Sequence, residues 1–366
     1  MPCYKRITVK IGSNVLTRPD GTLDVTRISA LVDQIADLRR RNIEVILVSS
    51  GAVASGRSEL GIEHNRRLDA VSARQLFSAV GQAKLINRYY ELFREHGIAC
   101  GQVLTMKENF ATRRHYLNQK HCMEVMLENG VIPIVNENDT VSVTELMFTD
   151  NDELSGMIAT MMGAEALIIL SNIDGIYDGN PNDPGSRIIP EISAETRTEL
   201  SKYIQSGKSS FGGMLTKCNI ARKVAQEGIE VIIANGKRDS ILTDLLCNER
   251  NVCCTRFLPA KKTTSSIKKW IAHSEGFAKG ELRINAGAAE KLCSHHAVSL
   301  LPIGVTDVKG DFEKDDIVRI CAPDGRAIGV GRISCDSEKA RTLIGKQGAK
   351  PFIHYDYLYL DWEPVA

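Results

Sequence analysis

RITVKIGSNVLTRPDGTLDVTRISALVDQIADLRRRNIEVILVSSG, residues 6–51, opens on a Val/Ile-rich run, passes through a helical pattern and closes on a second Val/Ile-rich run. In its middle, Val25, Ile28, Leu31, Val32, Ile35 and Leu38 recur at helical spacing behind Asp24, a short carboxylate suited to an N-cap. Two short apolar runs joined by an amphipathic helix predict a βαβ unit, because strands covered on both faces of a parallel sheet read as continuous apolar runs. The same alternation continues to residue 235, with further strands expected in ACGQVLT (99–105), VIPIVNE (131–137), ALIILS (166–171) and EVIIAN (230–235). Helices are predicted over 72–96, 113–129, 152–163 and 212–227. The expected fold is α/β, an open and mainly parallel sheet with helices on both faces.

The 366 residues leave room for a second domain. Residues 259–274, PAKKTTSSIKKWIAHS, carry Lys261, Lys262, Lys268 and Lys269 without an acid and read as a basic linker. Beyond them GELRINAGA (280–288), VSLLPIGVTDV (298–308) and DIVRICAPDGRAIGVGRI (316–333) predict the short strands and tight turns of a small barrel-like β domain. The expected division is therefore 1–258, a linker at 259–274, and 275–366.

Charge and cysteine usage exclude several function classes. With 46 basic and 45 acidic side chains, the chain as a whole has no charge that would favour nucleic acid or an anionic membrane. Residues 275–366 hold 12 bases and 14 acids, so RNA binding there would rest on the lysines of the linker alone. The ten cysteines show no CxxC or Cys/His ligand spacing and read as reduced thiols. No apolar run reaches membrane-spanning length, and the amino terminus runs directly into a strand pattern; a cytoplasmic location is expected.

In an open parallel sheet, ligands bind beyond the carboxyl ends of the strands, so the residues just after each strand carry the functional signal. Lys10-Ile11-Gly12 ends the first strand, where Lys10 either snorkels to solvent or meets an anion that Gly12 lets a backbone N–H approach. Ser49-Ser50-Gly51-Ala52 ends the second and reads either as a simple cap or as an anion-binding helix start. It is neither a Walker A sequence nor GxGxxG. Asn136-Glu137-Asn138-Asp139 follows VIPIV, as a turn or as a site for a substrate ammonium. Ser171 and Asn172 follow ALIIL, ahead of an Asp-Gly turn. In FGGMLTKCNIARKVAQEG (211–228), Lys217 falls on the same arc as Met214, Cys218, Ala221, Val224 and Ala225, an expensive place for an ammonium without an anionic partner. In FTDNDELSG (148–156), Asp150 and Glu153 form a capping box, which leaves Asn151 and Asp152 unexplained.

Taken together, VKIGSNVLT, SSGAVASGR, IVNENDTV, TDNDELS and GGMLTK, in this order and spacing, closely resemble the glutamate 5-kinases of the amino acid kinase superfamily, and the tail resembles the PUA domain many bacterial members carry. The resemblance implies transfer of the γ-phosphoryl group of ATP, with Mg²⁺, to the side-chain carboxylate of L-glutamate, the first step of proline biosynthesis. It assigns catalysis to Lys10, Asp152 and Lys217, with Asp152 orienting the two lysines. Glutamate binding falls to Ser50, Asp139 and Asn151, supported by Asn136 and Asp150. Nucleotide binding falls to Lys10, Gly12, Ser171, Asn172 and the segment Phe211, Gly212, Gly213, Met214, Leu215, Thr216 and Lys217, with Gly51 as a further backbone donor. The family commonly shows Thr-Asp where this chain has Ser171-Asn172, and Gly-Thr-Gly-Gly-Met where it has Ser209-Ser210-Phe211-Gly212-Gly213-Met214. Both departures fall in the nucleotide subsite. The resemblance further implies proline feedback, a homo-oligomer, and glutamyl phosphate reductase as pathway partner. Kinases of the same fold that act on aspartate, N-acetylglutamate or a nucleoside monophosphate are the alternatives, with an RNA-binding protein acting through the PUA-like domain the less favoured third reading.

Overall fold

Strand β1 (Arg6–Ile11) lies between β2 (Glu44–Ser49) and β5 (Ala166–Ser171) and is parallel to both. The computed structural model describes residues 4–61, 68–141, 150–180, 183, 185–193, 212–247, 252–260, 266–272, 274–293 and 298–360. The strand alternation sorts β1 cleanly between two cores. Ile7, Val9 and Ile11 join Ile28, Leu31, Val32 and Ile35 of helix α2 (Val25–Arg40) in one fully buried cluster. Thr8 and Lys10 point to the other face, in register with Leu167 and Ile169 of the second cluster. The Asp24 side chain accepts the Arg27 N–H and starts α2, as its position predicts.

The whole sheet runs β3 (Cys100–Thr105), β4 (Ile132–Glu137), β2, β1, β5, β7 (Glu230–Asn235), β8 (Cys254–Leu258), β6 (Glu191–Ser193). All six expected strands form, in parallel pairs. An antiparallel β7/β8 pair at one side makes the sheet mainly rather than wholly parallel. The chain moves from β1 to β2 on one side and returns at β5 on the other, which places a crevice at the carboxyl end of β1. The helices bordering that crevice are α1 (Ser13–Leu16), α3 (Ala52–Leu60), α4 (Ala70–Glu95), α6 (Asn151–Met162) and α7 (Gly212–Gln226). Helix α5 (Arg113–Glu128) joins β3 to β4, and α8 (Ile241–Leu246) follows β7. No helix among the described residues is long and apolar enough to cross a membrane.

Two compact units emerge, Met1–Lys107 with Asn118–Thr263, and Glu108–Leu117 with Thr264–Ala366. The second holds a five-stranded sheet in the order β10 (Val305–Gly310), β9 (Gly280–Ile284), β11 (Ile317–Cys321), β12 (Ala327–Arg332), β13 (Leu358–Leu360). Its strands differ from expectation in two ways, since β13 falls in none of the expected stretches and one of those stretches ends early. GELRINAGA stops being a strand at Ile284, because the Asn285 side chain accepts the Ala288 N–H at 2.8 Å and starts helix α10 (Ala286–Cys293). The stretch read as a linker contains helix α9 (Ser266–Ala272), whose Trp270 is buried and donates its indole N–H to the Phe110 carbonyl at 2.9 Å. An apolar Ile267, Trp270, Ile271 spacing accounts for that turn of helix.

Candidate active site

Lys10 is the penultimate residue of a strand buried on both faces and is itself only 5% exposed. It does not snorkel. Its Nζ lies 2.5 Å from Oδ1 of Asp152, and Lys217 Nζ lies 2.8 Å from Oδ2 of the same carboxylate. Two ammoniums thus share one buried carboxylate. Burial alone would push the Asp152 carboxyl up, but Lys10 and then Lys217 outweigh it and hold it below the usual carboxylate value. Cys218, beside Lys217, belongs to the core. Burial pushes its thiol up to about 12, so it is no nucleophile.

Helix geometry sets this cluster. Asp150 caps α6, its Oδ1 accepting the N–H of Asp152 at 2.9 Å and of Glu153 at 3.1 Å. Burial first, and Asp152 second, raise the Asp150 pKa. Glu153 pairs with Lys107 at 3.4 Å. The cap puts Asp152 on the inner face of the first turn, where α6 packs on β1. One turn later Gly156 lets α6 and α7 approach closely, since a Cβ there would lie 3.0 Å from Val224 Cγ2 and 3.1 Å from Ile220 Cγ2. That close approach brings Lys217 to Asp152.

The ends of β2 and β4 build a second group beside the first. Gly51 starts α3 at φ +100°, a left-handed conformation that side chains resist. Ser50 does not cap α3. Its Oγ accepts from Asn151 Nδ2 at 2.9 Å, and Asn151 Nδ2 also reaches Asn136 Oδ1 at 3.1 Å. Asn136, Glu137 and Asp139 are all buried, so this stretch is more than an exposed turn. Ser50, Asn136, Asp139, Asp150 and Asn151 line one cavity of about 400 Å³. All five residues expected to bind the acceptor meet there.

The nucleotide positions are less fully described. Ser171 and Asn172 stand at the end of β5, with Ser171 Oγ 3.4 Å from Asn172 Oδ1. Gly212 begins α7, with Gly213, Leu215 and Thr216 in its first turns and Met214 packed against the core. Phe211, Ser209 and Ser210 lie outside the described residues. One expectation needs correction. Gly12 does not present its N–H to a ligand, because it donates to the Leu170 carbonyl at 3.0 Å and extends the β1/β5 ladder. What Gly12 supplies is space, since a Cβ would sit 3.2 Å from Leu170 O and 3.6 Å from Lys10 Nζ.

The inner stripe of α4 adds residues that no sequence motif marks. Arg74 donates through Nε to Asp139 Oδ1 at 2.7 Å and through Nη2 to Glu137 Oε2 at 3.0 Å. Ser78 donates to Asp139 Oδ2 at 3.4 Å, and Gln82 accepts from Asn136 at 2.8 Å. The available signal was three polar residues at i, i+4 and i+8 within an otherwise apolar face. Arg57 and Arg74 also line the cavity and bring positive charge to its acidic floor.

The amino acid kinase family model matches residues 5–235, and a glutamate 5-kinase of Bacteroides thetaiotaomicron is 69% identical over 98% of this chain and 99% of its own. The chain belongs to the amino acid kinase family, among the glutamate 5-kinases. The glutamate 5-kinase of Chlorobaculum tepidum is 49% identical, covering 98% of both chains. As in a member carrying the second domain, the PUA model matches residues 280–353. A solved isopentenyl phosphate kinase superposes with a TM-score of 0.50 at 18% identity, covering 69% of this chain and 99% of that chain, a likeness of fold. In this glutamate 5-kinase chain, Lys10, Asp152, Asp139 and Asn151 all fall inside the amino acid kinase region.

Proposed function

We infer that the chain transfers the γ-phosphoryl group of ATP to the side-chain carboxylate of L-glutamate, yielding L-glutamyl 5-phosphate and ADP in the first step of proline biosynthesis. The observation that carries this reading is the Lys10–Asp152–Lys217 cluster beside a polar cavity at the carboxyl end of the central strands. Phosphoryl transfer asks a protein for position and charge rather than a covalent nucleophile.

Glutamate sits in the 400 Å³ cavity with Ser50, Asp139 and Asn151 around it, Asn136 and Asp150 in support. Asp139, held by Arg74, faces the α-ammonium by charge. One oxygen of the substrate's side-chain carboxylate attacks the γ-phosphorus as the bond to the β,γ-bridging oxygen breaks, and ADP carries that oxygen away. Lys10 and Lys217 neutralise the phosphoryl oxygens from two sides, and Asp152 holds both ammoniums in place. Ser171, Asn172 and the segment from Phe211 to Lys217 hold the nucleotide.

The described residues contain no group of three or more carboxylate, His or Cys side chains able to cage a metal. Asp152 already gives both oxygens to lysines. Mg²⁺ would arrive with ATP, bound mainly through phosphate and water, and would supply neutralising charge there. Acyl phosphates are labile, so a reductase that takes the product directly is part of the proposal. So are a homo-oligomer, a cytoplasmic location and inhibition by proline at or near the glutamate cavity.

An ADP-release assay across acceptors tests the reading. Glutamate is expected to exceed aspartate and N-acetylglutamate in kcat/KM by about 100-fold, since a mismatched acceptor leaves buried polar groups unpaired. Equal turnover of aspartate would refute it.

A further inference from the structure

We infer that Gln82, on the inner face of α4, is a positioning residue that holds Asn136, and through it the Asn151 amide, with the Asn151 oxygen toward the substrate. The inference rests on the glutamate reading above. It starts from a donor whose sense is fixed. A backbone N–H only donates, so the Glu137 N–H at 2.9 Å identifies the Asn136 side-chain atom it meets as Oδ1. The other end of that amide is then Nδ2, and at 2.8 Å it requires an acceptor, which is Gln82 Oε1.

The chain of amides continues outward to the cavity. The Asn151 atom 3.1 Å from Asn136 Oδ1 must be a donor, Nδ2, and it also lies 2.9 Å from Ser50 Oγ and 3.4 Å from the Ser49 carbonyl. Three acceptors surround Nδ2. Among the described residues no donor reaches Asn151 Oδ1, and Asn151 lines the cavity. An amide oxygen offered there is an acceptor for the α-ammonium of glutamate. The relay Gln82, Asn136, Asn151 therefore links a buried helix face to the selection of an amino acid.

Gln82 carries a cost that packing alone does not explain. It is 7% exposed, and its Nε2 is buried with no hydrogen-bond partner among the described residues. A residue present only to fill volume would be Leu or Met, which bury without an orphan donor. The orphan is tolerated because the opposite end of the amide holds Asn136. The register of α4 is pinned beside it, since a Cβ on Gly81 would lie 1.8 Å from the Ala52 carbonyl.

Glutarate, which is glutamate without the ammonium, separates this role from a structural one. The ratio of kcat/KM for glutamate to that for glutarate is measured in the full chain and in Gln82→Met, which keeps the volume and removes the acceptor. The ratio is expected to fall about 10- to 100-fold, the worth of a hydrogen bond to a charged group, while KM for ATP and kcat with glutarate hold. Gln82→Glu keeps an acceptor and is expected to recover most of the ratio. If Gln82→Met does not fold, Gln82→Asn, one methylene short of Asn136, is expected to lower the ratio in the same way. An unchanged ratio in the folded variant overturns the inference, as does a loss that Gln82→Glu fails to recover. A parent chain that phosphorylates no glutamate would instead overturn the functional reading on which the relay rests.

Discussion

Lys217→Ala is expected to lower kcat by about 10²- to 10³-fold, the usual effect of removing one preorganised donor from a developing charge, with little change in the KM for glutamate. Lys217 lies on the arc of α7 that otherwise packs Cys218, Ala221, Val224 and Ala225 into the core, and its ammonium reaches Asp152 rather than the glutamate cavity. A loss confined to kcat would place its work in the transition state. Steady-state kinetics at saturating ATP separate the two outcomes, and a near-normal kcat would remove Lys217 from the chemistry.

Asp152→Asn is expected to cost both catalysis and stability. The change keeps the shape but leaves Lys10, 5% exposed, and Lys217 facing each other without a counter-charge. Breaking a buried ion pair from one side costs about 3–5 kcal/mol, because the remaining charge is stranded. The change also takes away the carboxylate that aims both ammoniums at the phosphoryl group, so kcat falls with it. Chemical denaturation of the full chain measures the first effect and kcat the second.

The pH dependence of that gap has a definite sign. The folded-state pKa of Asp152 is depressed, the net of burial opposed by Lys10 and Lys217, so its contribution is present above the ordinary carboxylate pKa and lost as the pH falls through the lowered one. The stability difference between the parent chain and Asp152→Asn should therefore be full at neutral pH and close below about pH 4. A gap that widens on acidification would contradict the ion-pair account.

The central sheet and the lysines could be read from sequence for the same reason. A Val/Ile run covered on both faces admits no charge without a partner, so Lys10 in RITVKI and Lys217 in its apolar arc stand out against their surroundings. Asp152 stood out once Asp150 had been assigned to the cap. Arg74, Ser78 and Gln82 could not be found this way, because a polar stripe on a long helix also describes a solvated face. Their meaning depends on contact with Asn136, Glu137 and Asp139, more than fifty residues away along the chain. Gly12 was misjudged for a related reason: a glycine after a strand is free to offer its N–H, and only the neighbouring β5 shows the Leu170 carbonyl already taking it. In the second unit, GELRINAGA reads on as strand through Asn285, and only that residue's capping bond to Ala288 turns the following alanines into a helix.

A single carboxylate holding two lysines around the transferring phosphoryl group, next to the acceptor cavity, is the core of the proposed site. A crystal structure of the full chain with glutamate, ADP and aluminium fluoride as the phosphoryl mimic tests it directly. The fluoride group is expected within hydrogen-bonding distance of both Lys10 and Lys217, with the glutamate side-chain carboxylate in line from the cavity lined by Ser50, Asp139 and Asn151. A mimic that touches neither lysine, or a glutamate bound elsewhere, would contradict the account.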